Sequence, residues 1–148
     1  GTTLEAVVVQ KHQIISAHVG DSRTQVIKNG ELIRITRDHS LVQELVDAGE
    51  ITADEAEKHP NKNIITRSLG QPTDIDVDTL TLEIDADDII IMSSDGLTNM
   101  VPAETIIETV DNDQDVTDQA QALVALANEN GGLDNITVIL VKFDKGDL

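Results

Sequence analysis

The segment from Asp88 to Asn99 constrains this chain more than any other. Ile89, Ile90, Ile91 and Met92 form an unbroken apolar run, followed by Ser93, Ser94, Asp95 and Gly96. A short apolar run bounded by polar residues reads as a strand buried on both faces, and so as the interior of a sheet with further layers above and below. The strand delivers Asp95 to its C-terminal end, where Gly96, with no Cβ, lets the chain turn sharply. A carboxylate on the rim of a buried strand costs free energy unless something charged satisfies it. Hard divalent cations, which take oxygen ligands, are suited to that task.

A second stretch repeats the pattern in reverse. Gly131-Gly-Leu-Asp-Asn135 leads into Ile136-Thr-Val-Ile-Leu-Val141, so Asp134 stands at the entry of another apolar strand that reads as buried on both faces. If the two strands are antiparallel neighbours, Asp95 and Asp134 share one end and one metal. Asp21, in His18-Val-Gly-Asp-Ser-Arg23, again follows an apolar strand and a glycine. Taken alone, each Asp-Gly or Gly-Asp is a turn signal as much as a ligand.

The remaining pattern is α+β. Residues 4–10 and 13–19 read as one hairpin, and Arg23–Lys28 with Glu31–Thr36 flank Asn29-Gly30, a strong hairpin signal. Four antiparallel strands in a row are expected by residue 36. Ser40 is placed to cap a helix with Leu41, Leu45 and Ala48 on one face, ended by Gly49. Thr52-Ala-Asp-Glu55 is a capping box for a second short helix that stops before Pro60. Between Val77 and Leu80 the apolar set of the 75–84 strand changes parity, which suggests a bulge or break near Asp78. Helices are expected from Pro102 to about Val110 and from Thr117 to Asn130, the latter with Ala120, Leu123, Val124 and Ala127 in one stripe. The last strand runs from Asn135 to Phe143, with a frayed tail after it. Strands buried on both faces, alternating strands and amphipathic helices together imply stacked sheets with helices outside.

Composition limits the function classes. The 148 residues suffice for one domain with a real core, and 39% hydrophobic with 26% charged residues is ordinary for a globular protein. There are no cysteines, which excludes disulfides and thiolate metal sites and is compatible with a cytoplasmic setting. No apolar run is long enough to span a bilayer. The formal net charge of −18, from 28 acids against 10 bases, argues against binding nucleic acid or an anionic membrane surface. Phosphate chemistry on such a surface needs bound cations to reverse the local field. Phe143 is the sole aromatic residue, so stacking is not a recognition device here.

Taken together and in this order, Gly20-Asp-Ser-Arg23, Asp38-His-Ser40, Ser93-Ser-Asp-Gly96 and Gly132-Leu-Asp-Asn-Ile-Thr137 resemble the metal-dependent protein phosphatases, the type 2C serine/threonine family. The segment Leu41–Pro60 with Asn63–Gly70 resembles its bacterial branch, and the resemblance covers essentially the whole chain. It implies an α-β-β-α sandwich of antiparallel sheets with helical outer layers, of which this chain is the C-terminal portion. The N-terminal part, with its phosphate-binding arginine and metal-bridging aspartate, is then missing, leaving an unusually apolar face.

The resemblance also implies a binuclear Mn²⁺ or Mg²⁺ site whose activated water attacks phosphoserine or phosphothreonine directly. Two ions, with a third in bacterial relatives, would be held by Asp95, Asp134 and Asp21. The simpler reading of Asp21 is a turn residue paired with Arg23. Asn135 is a candidate to orient Asp134 and is equally a turn residue at the strand entry. Ser94 and Gly96 surround the site. His39 has two readings, a polar contact near substrate or a helix-entry cap, and the cap is the simpler. The two helices at about 40–62 read as a flap beside the active site. The implied partners are phosphoserine and phosphothreonine proteins and a Hanks-type kinase. The rival reading is a non-catalytic remnant or pseudophosphatase acting as an interaction module, and the chain by itself is expected to be inactive.

Overall fold

The computed structural model describes residues 1–71 and 74–148. Among the described residues the strands are β1 (Leu4–Gln10), β2 (Gln13–Val19), β3 (Arg23–Lys28), β4 (Glu31–Arg34), β5 (Asp78–Glu83), β6 (Ile89–Ser93) and β7 (Val138–Lys142). The helices are α1 (Leu41–Asp47), α2 (Ala53–Glu57), α3 (Asp95–Thr98), α4 (Ala103–Val110) and α5 (Val116–Glu129). The strands form two antiparallel sheets, β1-β2-β5 and β4-β3-β6-β7.

The first four strands therefore do not run on as one sheet. Two hairpins form as the turn signals require, but the Gly20-Asp21-Ser22 link carries the chain from one sheet to the other. Local alternation specifies hairpins and says nothing about which sheet each joins.

β6 lies inside the four-stranded sheet, and Ile89, Ile90 and Ile91 are buried as the apolar run demands. Each fully buried isoleucine contributes about 1.5–3 kcal/mol relative to exposure. Alternate residues of this strand feed two cores. Ile90 packs with Ile14, Val26 and Ile84 between the sheets. Ile89 and Ile91 pack with Leu97, Ile106, Val110 and Leu123 under α3, α4 and α5.

The second apolar run is a different case. β7 is an edge strand, half-buried, with Ile139 50% exposed, so it is not covered on both faces. Helices cover one face of the four-stranded sheet, while the outward residues Leu4, Val8 and Ile15 of the three-stranded sheet stay exposed. The described chain thus holds three of the four expected layers, α-β-β.

Caps follow the local chemistry. Ser40 accepts from the Gln43 N–H, Thr52 and Glu55 form the capping box, and Asp115 caps α5 through the Thr117 N–H. The buried residue of α1 is Val42, while Leu41 and Leu45 are half-buried and Ala48 is exposed. Of the bulge or break expected near Asp78, the structure has the break: β5 begins at Asp78. The tail is not frayed: the Asp147 N–H donates to the Asp144 carbonyl, and Phe143 and Leu148 pack on the inter-sheet core.

Candidate metal centre

Register brings the sequence motifs to one end of the four-stranded sheet. Arg23 pairs with Ser93, and Ser93 pairs with Val138, so the start of β3, the end of β6 and the entry to β7 lie side by side. Ser94 ties two of them together. Its hydroxyl donates to the Asn135 carbonyl at 3.1 Å and accepts from the Thr137 N–H at 3.0 Å. Gly96 is required here, though not for a sharp turn, since its φ is not positive. A Cβ at Gly96 would lie 2.3 Å from the Asn135 carbonyl oxygen, so the first turn of α3 packs directly on the 134–136 backbone.

That close packing holds Asp95 and Asp134 in electrostatic contact. Burial pushes the Asp95 carboxyl above its ordinary range, the Asp134 charge adds to the rise, and Arg23 with the Gly96 N–H oppose it. Asp134 itself is exposed, and its Oδ1 accepts the Asn135 N–H at 2.7 Å. The Asn135 contact with Asp134 therefore comes from its backbone. Asn99, one turn beyond Asp95 in α3, reaches the Asp95 carboxylate at 3.4 Å.

Asp21 reaches the same cleft from the link between the sheets. Its carboxyl is pushed up to about 6, first by burial, then by the charges of Asp95 and Asp38. The pairing of Asp21 with Arg23 does not form. Arg23 instead forks onto Asp38, at 3.1 Å and 2.7 Å, and Arg34 pairs with Asp38 from the other side.

His39 neither caps a helix nor faces the cleft as a free group. Its Nδ1 accepts the Gly20 N–H at 3.0 Å, its own N–H donates to the Gly20 carbonyl at 2.7 Å, and Nε2 donates to Asp78 at 3.0 Å. It is a buried clamp on the residue before Asp21. Its ring lies 4.5 Å from that of His18, which pairs with Glu5 between the sheets. Sequence reasoning missed this clamp, the Arg23–Asp38–Arg34 cluster and Asn99. The Asp-Ser-Arg and Asp-His-Ser motifs contained the first two, but nothing local couples them.

The cleft holds about 210 Å³. Asp21, Asp38 and Asp95 line one side, and Val42, Val46, Ala53 and Ala56 of α1 and α2 line the other. The oxygen-only donors suit Mn²⁺ or Mg²⁺, and the raised Asp21 and Asp95 are what carboxylates crowded without a cation display. Among the described residues, however, no group of three acids or histidines converges into a complete metal cage. The carboxylates fit part of a divalent site. Away from the cleft, Lys28 pairs with both Asp85 and Asp88.

Two facing antiparallel sheets with helices on one outer face and a carboxylate cleft at one end define an α+β sandwich. The family model for Protein phosphatase 2C matches residues 1–45. The protein phosphatase PhpP of Streptococcus pneumoniae is 47% identical over 147 residues, covering 99% of this chain and 60% of that protein. The solved serine/threonine phosphatase of S. agalactiae superposes with a TM-score of 0.93 at 46% identity, over 96% of this chain and 59% of that one. The catalytic domain of the serine/threonine phosphatase PstP, solved in complex with two manganese ions, gives a TM-score of 0.81 at 36% identity, over 93% of this chain and 56% of that one. The chain belongs to the protein phosphatase 2C family, among its bacterial members. It spans about 60% of the length of the curated relative it matches.

Proposed function

We propose that the protein is a metal-dependent serine/threonine phosphoprotein phosphatase with Asp95 and Asp134 among its metal ligands and Asp21, with Asp95, at a third and looser site. The observation that carries this is the crowding of Asp21 and Asp95 in one cleft, both raised by burial and by neighbouring carboxylates. Two divalent ions, Mn²⁺ or Mg²⁺, would activate water and neutralise the phosphoryl oxygens. The reaction is hydrolysis: a water oxygen bonds to phosphorus, the phosphorus–oxygen bond to the serine or threonine breaks, and a water proton ends on the released hydroxyl.

The chain's own residues hold the arrangement. Ser94 and Gly96 fix Asp95 against the Asp134 loop. His39 fixes the backbone before Asp21. Arg23 is held by Asp38 at the rim, facing the acids. Substrates are phosphoserine and phosphothreonine proteins, and a Hanks-type kinase is the counterpart. In the full-length protein with Mn²⁺, Asp95→Asn should lower p-nitrophenyl phosphate turnover by at least about a hundredfold, as expected for a group at least as important as those that orient metal ligands. Retention of most activity would exclude Asp95 as a ligand.

The segment at about 40–62 is proposed as a substrate-gating flap. It forms one wall of the cleft while burying only Ser40 and Val42 among the described residues, and low burial means low local stability. Exchanging residues 40–60 should leave the p-nitrophenyl phosphate rate within about tenfold, since that ester needs only the metal centre, and should change phosphoprotein hydrolysis far more. Equal losses on both substrates would make the segment part of the core.

A second reading treats residues 1–148 by themselves as a non-catalytic module, a reading favoured by the lack of three converging acids or histidines among the described residues; background p-nitrophenyl phosphate turnover with Mn²⁺ is then expected, and robust turnover by the chain would exclude it.

A further inference from the structure

Two buried histidines stand behind the metal cleft. His39 is the clamp on Gly20. His18, on β2 and 1% exposed, has no part in the chemistry described so far. Its Nε2 lies 2.8 Å from the Arg37 carbonyl, and its Nδ1 meets a carboxylate oxygen of Glu5 on β1. The other Glu5 oxygen accepts the Thr24 hydroxyl at 2.6 Å, from β3 in the opposite sheet. Carbonyl and carboxylate oxygens both accept, while a neutral imidazole has one donor only. Both contacts therefore form with the ring protonated on both nitrogens. Burial lowers the His18 pKa, but the Glu5 hydrogen bond and charge, the Arg37 carbonyl and the Asp38 charge outweigh it and hold it above the ordinary value.

These contacts close a ring. The chain runs from His18 through Val19 to Gly20, which is bonded to His39 in both directions. Asp38 and Arg37 complete the circuit, and the Arg37 carbonyl returns to His18. The two imidazoles pack with centroids 4.5 Å apart. Asp21 leaves the ring at Gly20, where there is no slack, since a Cβ there would lie 2.3 Å from the Thr3 methyl.

We infer that His18, as an imidazolium, is a positioning residue for Asp21: it locks the 18–20 and 37–39 segments together and so fixes where Asp21 stands in the cleft. The inference rests on the reading of Asp21 as a metal ligand. A neutral ring keeps the Nε2 proton on the Arg37 carbonyl and turns the Nδ1 lone pair on the Glu5 carboxylate. The tie to β1 and, through Thr24, to the opposite sheet is then lost. The other charged or titratable groups facing the ring are Arg37, Asp38 and His39 after β4 and Asp78 on β5. Among the described residues Glu5 is the only side-chain partner of Nδ1.

The test measures the Mn²⁺ concentration that gives half-maximal p-nitrophenyl phosphate turnover by the full-length protein. His18→Gln keeps a donor for the Arg37 carbonyl but has no charge. It should raise that concentration about tenfold, with turnover at saturating Mn²⁺ within about threefold. Loss of charge alone would act the other way, because removing a cation near the cleft favours Mn²⁺. Loss of stability alone would not move it, so Ile14→Val, which weakens the inter-sheet core, should leave the requirement unchanged. On an Asp21→Asn background His18→Gln should add nothing, since it acts through Asp21. The raised His18 pKa means that the tie is present at low pH and lost as pH rises through it. In the unmodified protein the Mn²⁺ requirement should therefore rise again above pH 6.5, opposite in sign to carboxylate titration, and this arm should vanish in His18→Gln. Nitrogen NMR of the unmodified protein should show both His18 ring nitrogens protonated at neutral pH, a result that depends on no variant folding. A neutral ring, a requirement flat above pH 6.5 or unmoved by His18→Gln, an equal rise in Ile14→Val, or additivity with Asp21→Asn overturns the inference and leaves the phosphatase reading standing. Absence of Mn²⁺-dependent turnover by the unmodified protein overturns both.

Discussion

The cleft places two sets of carboxylates side by side under opposite electrostatic regimes. Asp38 sits between two guanidiniums, Arg23 and Arg34, in charge-assisted hydrogen bonds. Asp21 and Asp95 line the same cleft, are buried to a similar degree, and face other carboxylates more than cations. The first set is a finished ion-pair cluster and supports structure. The second is held in an unfavourable state by the fold, which the cation of the proposed site would relieve. A single acid is thus read by its neighbours and not by its residue type.

Three measurements probe this contrast. The largest effect is expected from the finished set. Arg23→Ala removes the fork and leaves Asp38 with Arg34 alone in a half-buried setting, at a cost of about 2 kcal/mol. Denaturant unfolding at neutral pH measures it. A change under about 0.5 kcal/mol would mean that Asp38 is as unsatisfied as its neighbours, and the contrast would be lost.

A smaller effect of opposite sign is expected from Asp21. Its folded pKa, about 6, lies above the ordinary aspartate value of 3.8. The folded state therefore binds its proton more tightly than the unfolded state. The stability that Asp21 contributes is fully present below about pH 3.8 and is lost as pH rises through about 6. At pH 7 without metal, Asp21→Asn should stabilise the protein by on the order of 1 kcal/mol, a figure reduced for solvent screening. It should also flatten the stability profile between pH 4 and 6. Destabilisation by this substitution would show that the Asp21 charge is already satisfied.

Much of this was legible in the sequence, for identifiable reasons. The apolar run at 89–92 needed burial on both sides, and the caps at Ser40 and Thr52 are local chemistry. The antiparallel pairing of β6 with β7, the condition under which the acidic end of one apolar run meets the acidic entry of the other, is the pairing that forms. Features that depend on contacts across the fold were not legible. The division of the first four strands between two sheets is one. The need for Gly96 is another, since it comes from the Asn135 carbonyl forty residues away in the chain and not from a turn. The coupling of Arg23 to Asp38 and the His39 clamp on Gly20 likewise join residues that no periodicity relates.

The central claim is that Asp95 and its carboxylate neighbours await a divalent cation, and titration with Mn²⁺ tests it most directly. Calorimetry on residues 1–148 should give a Kd well above micromolar, because the carboxylates form only part of a cage. Asp95→Asn should abolish the binding, since Asp95 stands between Asp134 and Asp21 electrostatically. Tight binding that survives Asp95→Asn would place the ion on another part of the molecule and contradict the account.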